Sequence, residues 1–524
     1  MDRTRKATWG FLSGLAFAGI TVIVGLVATP LLLKWLGPER FGAFRAANDW
    51  TGHLTIFELG LSWALIPLFA RALGRGDIPA VRAILQVGVR VYLGVALLML
   101  AAGAGLALVM GHLVPVGSNA VHDLQRGCWV GLLAIVVVPL TPFRALAEAD
   151  QRSYLINSLF IVQALVVTGL GLLLAWAGWG ITGQFLAASL GLYPLLFFLM
   201  HDGFRRYGRV GVFGTHPMPS PVGSEDFTHP TETVDLTAIR REIWKMNWPS
   251  LIRNTCGRIG LFTDNLLIAY FLGPAVVASF YLTQRTCVLA QSQLLGIGSA
   301  GWAGLVELVH KGQIATFHRR LIELTGLVTV LGIAVMVPLA GFNRDFISLW
   351  VGPTCFGGEW ITGLAAINGI LLSIFSLWGL VISGAGHVAR VVPGTVASAV
   401  VNIVVSVLAT ILLGPPGPLL GTLTALATIN SWFFPMLLKR LFHVPLRPLF
   451  MAILSPALIG IPYAFGVRWF AHTHPAPGWV ALSLELAGLA LVYLVLAWLA
   501  VFNASERAVW MWRFRLFLRP RTAT

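Results

Sequence analysis

The chain has 524 residues, is 57% hydrophobic and has a mean hydropathy of +0.81. Only 11% of its residues are charged, against about 25% in soluble domains. This excludes a water-soluble globular protein, because no single core could hide so much apolar surface, whereas a bilayer solvates it directly. The formal net charge of +15 is unusual for so apolar a chain, and its placement along the sequence explains it.

A helix crossing hydrocarbon needs about 20 apolar residues. Fourteen stretches meet that length and are numbered here spans 1 to 14: 9–33, 44–72, 84–111, 127–147, 154–176, 180–200, 247–272, 275–309, 321–341, 358–384, 391–413, 417–438, 449–470 and 478–502. Arg3, Arg5 and Lys6 precede the first run, which is too long for a signal-peptide core and lacks a cleavage site, so it reads as an uncleaved span. Placing both termini in the cytoplasm puts 26 of the 36 Lys and Arg residues in inner loops, tails and adjoining span ends, six in outer loops and adjoining span ends, and four deeper within spans. That contrast satisfies the positive-inside rule and predicts a multi-pass protein of the cytoplasmic (inner) membrane. The net charge then reports topology and attraction to anionic membrane lipids, with no nucleic acid required. Trp35, Trp176, Trp179, Trp350, Trp360, Trp469 and Trp479 fall at the expected outer boundary, as an aromatic belt.

The polar segment 201–246 divides the chain. Gly211 to Asp235 is rich in Pro, Ser, Thr and Gly and reads as a cytoplasmic linker, and AIRREIWKMNW at its end reads as a surface amphipathic helix. The expected organisation is a six-helix bundle over 1–200, the linker over 201–246, a second six-helix bundle over 247–440, an extra helix pair (spans 13 and 14) over 441–502, and a basic cytoplasmic tail over 503–524. The four cysteines show neither a metal-ligand spacing nor a disulfide framework, so no metal is expected.

The halves repeat. Leu36-Gly37-Pro38 recurs as Leu272-Gly273-Pro274, an offset of 236, and Phe44, Leu59, Gly60, Ala64, Gly76, Ile78 and Leu85 match residues at the same offset. Both copies start on the same side of the membrane. The repeat is therefore parallel, with a pseudo-two-fold axis along the membrane normal, and transporters use such repeats to place a site between two bundles.

Charges inside spans are the candidate functional residues. An ionised side chain at the bilayer centre costs about 2.5–3.5 kcal/mol, so such residues must face a bundle interior or a watery cavity. Span 2 carries Asp49, His53 and Glu58; span 3 carries Arg90; span 7 carries Arg253, Arg258 and Asp264; span 8 carries Arg285. Arg45, Asp49 and His53 form one helical stripe, Arg253 and Asp264 share a face, and Asn254, Arg258 and Asn265 share a neighbouring one. The pairs Asn48/Gln284 and Asp49/Arg285 are also separated by 236, and equivalent polar positions are most simply explained if both line a central cavity. The alternative for each residue is an ion pair stapling helices, such as Asp49 with Arg285, or Arg253 or Arg258 with Glu58. Gly296-Ile-Gly298-Ser-Ala-Gly301 matches a nucleotide-binding pattern but lies inside span 8 with no preceding strand, and close helix packing accounts for it. No ATPase motif is found, so uphill work must draw on an ion gradient or a partner.

LLLKWLGPERFGAF, LGLSWALIPLFARALGRGD and YFLGPAVVASFYLTQR resemble the polysaccharide transporters, the O-antigen and exopolysaccharide flippases of the multidrug/oligosaccharidyl-lipid/polysaccharide (MOP) flippase superfamily. The resemblance covers almost the whole chain in layout. One departure is that Pro67 has Ala303 as its counterpart, where members often keep a proline in both copies. The resemblance implies an all-α integral membrane fold of about 14 transmembrane helices, in two pseudo-two-fold related, MATE-like bundles plus a C-terminal helix pair. It implies alternating access and an undecaprenyl-pyrophosphate-linked oligosaccharide moved from inner to outer leaflet, with polysaccharide polymerase or assembly proteins as partners. Arg253, Arg258 and Arg285, with Asn254 and Gln284, would hold the substrate through charge-assisted hydrogen bonds. Asp49, His53, Glu58 and Asp264 would gate the site or carry a coupling H+ or Na+, with no other cofactor. Spans 13 and 14 would offer an apolar groove to the lipid tail. The competing readings are a multidrug exporter of the same superfamily, a lipid II flippase, and a membrane-embedded glycan polymerase or ligase. Four span arginines against three carboxylates favour an anionic substrate over a cation. Short outer loops, the longest being 112–126 and 342–357, argue against an enzyme.

Overall fold

The computed structural model describes residues 3–58, 61–208, 252–258 and 263–501, with residues 507 and 511. The expected surface helix before span 7, most of the linker and nearly all of the basic tail lie outside these residues. Among the described residues every regular element is helical, and each of the fourteen predicted spans falls on helix. Nine stretches of the described residues are long and apolar enough to cross a membrane by length and hydropathy alone. Two of these, Leu12–Glu58 with 47 residues and Glu359–Leu413 with 55, are about 70 and 80 Å long at 1.5 Å per residue, more than twice the hydrocarbon thickness. Each breaks at a glycine with positive φ, Gly37 (76°) and Gly386 (89°), which lets the chain turn back. The chain is a multi-pass, all-helical membrane protein.

The repeat is visible in the backbone. Gly37 and Gly273, 236 apart, adopt nearly the same conformation, with φ of 76° and 91° and ψ of 165° and 157°. Gly76 and Gly312 form a second pair, with φ of 69° and 71°. Each ends a helix in a Schellman motif: Asp77 N–H donates to the Ala72 carbonyl at 3.1 Å, and Gln313 N–H donates to the Leu308 carbonyl at 3.0 Å. The copies diverge ahead of Pro67. Span 2 passes through a 3-10 segment at Leu54–Glu58 before resuming as helix Leu61–Arg75, which contains Pro67. Span 8, with Ala303 at the equivalent place, is one uninterrupted helix of 37 residues, Pro274–His310.

The compact units divide at residue 278: Met1–Ala278 and Ser279–Thr524. Span 7 thus groups with the spans before it, not with those of the second predicted bundle. The first unit is built on a core of Leu61, Leu65, Phe69, Leu85, Tyr92, Leu146 and Leu199. Asp123, in helix Ser118–Gly131, caps helix Gly180–Leu190, accepting from Ile181 N–H at 2.8 Å and Thr182 N–H at 3.0 Å, so two orphan donors of a buried helix start are satisfied. Arg152 donates to both carboxylate oxygens of Asp202, tying spans 5 and 6 at one end. Ile23, Val27, Leu97, Leu108 and Leu173 stand exposed, a surface that is stable only against lipid tails.

Gly42 in this unit lies against the turn between spans 7 and 8. A Cβ there would stand 1.8 Å from the Pro274 carbonyl oxygen, a backbone atom that cannot step aside alone. Gly42→Leu is expected to force this contact apart and deplete folded protein, read as loss of the monodisperse peak in size-exclusion chromatography of the detergent extract.

The second unit has its own core, with Trp378 fully buried and its indole N–H donating to Thr325 Oγ1 at 3.0 Å. Spans 11 and 12 form a tight hairpin because Gly417 and Gly421 present no side chain to Thr410 and Ser406, the close approach that small residues allow in membranes. The loop at 342–357 contains a short helix, Asn343–Trp350. Asn343 is fully buried and links three segments of this unit: its amide donates to the Thr283 carbonyl at 2.7 Å and to Thr362 Oγ1 at 2.9 Å, and it accepts from Thr286 Oγ1 at 3.0 Å.

Candidate functional site

Local backbone geometry in spans 2 and 7 builds a polar cavity inside the first unit. In a 3-10 helix, residues i and i+3 eclipse one another. The Leu54–Glu58 segment therefore turns Thr55 and Glu58 to the same side. In the helical stretch 252–258, Asn254 and Arg258 are four apart and share a face. All four line a cavity of about 440 Å³, whose other polar walls are Thr141, Arg144, Glu148, Gln163 and Thr255.

The cavity's hydrogen bonds are specific. Arg258 Nη1 donates to Thr55 Oγ1, and that hydroxyl in turn donates to the Gly52 carbonyl at 2.6 Å. Tyr92, fully buried in span 3, donates its phenol to Glu58 Oε1 at 2.9 Å. Arg144 pairs with Glu148 at 2.9 Å and stacks over Phe160 at 5.0 Å. The lining thus contains two guanidinium groups, two carboxylates, two amides and three threonine hydroxyls. Such a wall is unfavourable if dry. It suits a hydrated ligand that both donates and accepts hydrogen bonds.

The remaining candidates sort into other places. Asp49 accepts from Asn265 Nδ2 at 2.7 Å. Asp264, at the start of helix Asp264–Leu272, lies within Coulombic reach of Asp49. Arg45, one turn before Asp49, lies over the rings of Phe41 and Phe44 at 5.1 and 5.7 Å. The His53 ring meets Trp50 edge to face at 5.9 Å. Arg253 is half-buried. Gln284 and Arg285 belong to the second unit, where Arg285 lies 5.8 Å from the Tyr281 ring. The chain thus gathers Glu58, Asn254 and Arg258 in one cavity and Asp49 and Asp264 in a second cluster. The faces assigned from spacing hold for Asn254 with Arg258, whereas Asn265 turns to Asp49.

Sequence reasoning passed over Thr55, Tyr92, Arg144, Glu148 and Gln163. Arg144 lies near the end of span 4, where a basic residue reads as a topology charge. Two signals were available: the i, i+4 spacing of Arg144 and Glu148, and the spacing of three between Thr55 and Glu58, which is informative only once that segment is known to be 3-10.

Comparison with known proteins follows from this architecture. The family model described as polysaccharide biosynthesis protein matches residues 8–302. The chain belongs to that family. A curated relative, the uncharacterized membrane protein EpsK of Bacillus subtilis (strain 168), is 22% identical over 97% of this chain and 98% of its own length. The solved lipid II flippase MurJ in an inward closed conformation superposes with a TM-score of 0.68 at 12% identity, covering 95% of this chain and all of that one, 100%. An inward-facing multidrug resistance MATE family transporter of the MOP superfamily gives 0.60 at 15% identity, covering 82% and 97%. At these identities the solved structures establish the fold alone, one shared with the MurJ flippase and MATE transporter structures, as the motifs of spans 1, 2 and 8 led one to expect.

Proposed function

We propose that this family member carries a lipid-linked oligosaccharide, with an undecaprenyl-pyrophosphate anchor, from the inner to the outer leaflet of the cytoplasmic membrane by alternating access. The observation that carries the reading is the cavity around Arg258, Glu58 and Asn254. It sets charge-balanced polar groups among apolar walls such as Met99, Phe160 and Leu196, between membrane helices. A mixture of amides, hydroxyls, guanidinium groups and carboxylates matches a sugar, which presents donors and acceptors in every direction. Arg258 supplies the fork geometry that binds phosphate or acidic sugars, and Arg253 in the same helical stretch offers a second guanidinium. Family membership supports a role in polysaccharide production, and the MOP fold supports transport over enzymatic chemistry. Both termini are cytoplasmic in this reading, and a polymerase or assembly protein takes over the exported glycan.

The experiment is a deletion strain analysed for surface glycan and for lipid-linked intermediates. Loss of the glycan is expected, with the precursor accumulating on the cytoplasmic side of spheroplasts and viability retained. Unchanged glycan with a new sensitivity to cationic drugs would favour the multidrug reading. Lethality with lipid II accumulation would favour lipid II as the substrate.

A further inference from the structure

A second cavity, of about 430 Å³, lies wholly in the second unit, between spans 9, 10 and 13. Its floor includes the buried Ala366 and Gly460, and its rim includes Ile367, Ile461 and Phe465, which stand exposed. The lining recurs every third or fourth residue, from Glu359 to Ile374 on span 10 and from Arg468 to Ile453 on span 13. It is therefore a continuous groove along the helices, open on its apolar rim to lipid. Fifteen residues of helix make it about 22 Å long. One leaflet contributes only about 15 Å of hydrocarbon, so a whole acyl tail fits.

Charge is confined to one end. Glu359 opens helix Glu359–Ile382, and Arg468 lies near the end of helix Leu446–Thr473. Their neighbours Trp360 and Trp469 are exposed, which marks this end as the membrane–water interface. The lysine and arginine distribution makes it the outer leaflet. Glu359 and Arg468 both line the groove, yet neither takes a hydrogen-bond or ion-pair partner among the described residues. The only other polar lining groups, Thr329 and Thr362, are engaged within the protein. Thr329 Oγ1 donates to the Thr325 carbonyl at 2.8 Å, and Thr362 Oγ1 accepts from Asn343 Nδ2 at 2.9 Å. The groove thus suits an apolar tail beneath a headgroup that carries both signs.

A guanidinium takes a phosphate, and a carboxylate takes an ammonium, through charge-assisted hydrogen bonds. A headgroup with phosphate alone leaves Glu359 facing an anion. A quaternary ammonium has no N–H to donate. A primary ammonium beside a phosphodiester answers both side chains.

We propose that this groove binds one outer-leaflet phospholipid with a primary-amine headgroup, of the phosphatidylethanolamine kind. An acyl tail lies along spans 9, 10 and 13, the phosphate meets Arg468, and the ammonium meets Glu359. The site does not rest on the export reading: a pyrophosphate-linked glycan lipid offers Glu359 no ammonium, and the test below needs no glycan.

The full-length protein, delipidated in detergent, is titrated with dioleoyl phosphatidylethanolamine, phosphatidylglycerol and phosphatidylcholine, and with undecaprenyl phosphate. Native mass spectrometry counts bound lipid, and the unfolding temperature is followed. One phosphatidylethanolamine per chain is expected, held at least about tenfold more tightly than the other two phospholipids. It should raise the unfolding temperature by about 2–5 °C. Gly363→Phe puts a ring into the groove where a Cβ would meet no atom within 4 Å, and should abolish retention. Glu359→Gln should erase the preference for phosphatidylethanolamine, and Arg468→Gln should weaken all three phospholipids. Both lie at the interfacial end and carry the test if Gly363→Phe does not fold. Leu412→Phe, on the exposed surface of span 11, should change nothing. Equal retention of the three phospholipids by the parent protein would overturn the proposal in favour of ordinary bilayer contact. Undiminished phosphatidylethanolamine binding in Gly363→Phe would overturn it in favour of a site elsewhere. Tighter binding of undecaprenyl phosphate than of phosphatidylethanolamine, lost in Gly363→Phe, would overturn it in favour of a carrier-lipid tail.

Discussion

Arg258→Ala is expected to reduce glycan export by about 30- to 3,000-fold while the protein remains in the membrane at normal abundance. The range corresponds to about 2–5 kcal/mol, the cost of truncating one partner of a desolvated, hydrogen-bonded charge pair. Arg258 contributes little to folding by comparison. Its donation to Thr55 is replaceable, because the Thr55 hydroxyl keeps its own bond to the Gly52 carbonyl at 2.6 Å. On the proposed reading the guanidinium serves chiefly what enters the cavity. Arg258→Lys should recover only part of the activity, since an ammonium keeps the charge and loses the bidentate fork. Surface glycan measured alongside membrane abundance decides the matter. Normal glycan from a well-expressed Arg258→Ala variant would remove Arg258 from the mechanism.

Asn343→Leu is expected to destabilise the second unit by about 3–5 kcal/mol. Three hydrogen bonds are lost from a fully buried position, and each stranded partner costs about 1–3 kcal/mol. The sum is moderated because Thr362 Oγ1 retains a weak bond to the Gly358 carbonyl at 3.3 Å. Function should suffer as well as stability. Thr283 and Thr286 are buried on the face of span 8 that Asn343 holds, and Gln284 and Arg285 lie between them in sequence, about 130° round the helix from that face. Loosening the anchor frees the helix to rotate and carries both side chains with it. Asn343→Asp should be intermediate, since it still accepts from Thr286 but no longer donates to Thr283 and Thr362. Thermal unfolding in detergent orders the three proteins, and an Asn343→Leu variant as stable as the parent would show the knot to be dispensable.

Much of the fold was legible because membrane insertion leaves a coarse signature. Hydrocarbon demands long apolar stretches, and the described residues of every predicted span fall mostly on helix. The repeat was legible at its glycines, since a positive φ tolerates little else, and Gly37 with Gly273 and Gly76 with Gly312 turn alike. The difference between span 2, interrupted at Leu54–Glu58, and the continuous span 8 was not legible at Pro67, which lies inside helix Leu61–Arg75 beyond the break.

The candidate site was only half legible. Composition and spacing singled out Glu58, Asn254 and Arg258, because charges and amides in apolar helices are too costly to be incidental. They did not reveal that Arg144, Glu148, Gln163 and Tyr92 share or support the same cavity, since those residues come from other helices and look unremarkable in their own stretches. They suggested that Asp49 pairs with Arg285, while the fold gives it Asn265 as a hydrogen-bond partner, from the start of helix Asp264–Leu272.

The sequence by itself determined that this is a multi-pass helical protein with duplicated halves and a small set of polar residues at membrane depth, because those properties follow from transfer free energy and backbone sterics along one dimension. Only the tertiary structure decided which of those residues meet. Contacts between helices depend on rotation and register, which shift with a single 3-10 turn such as Leu54–Glu58 and leave no periodic trace in the order of the amino acids.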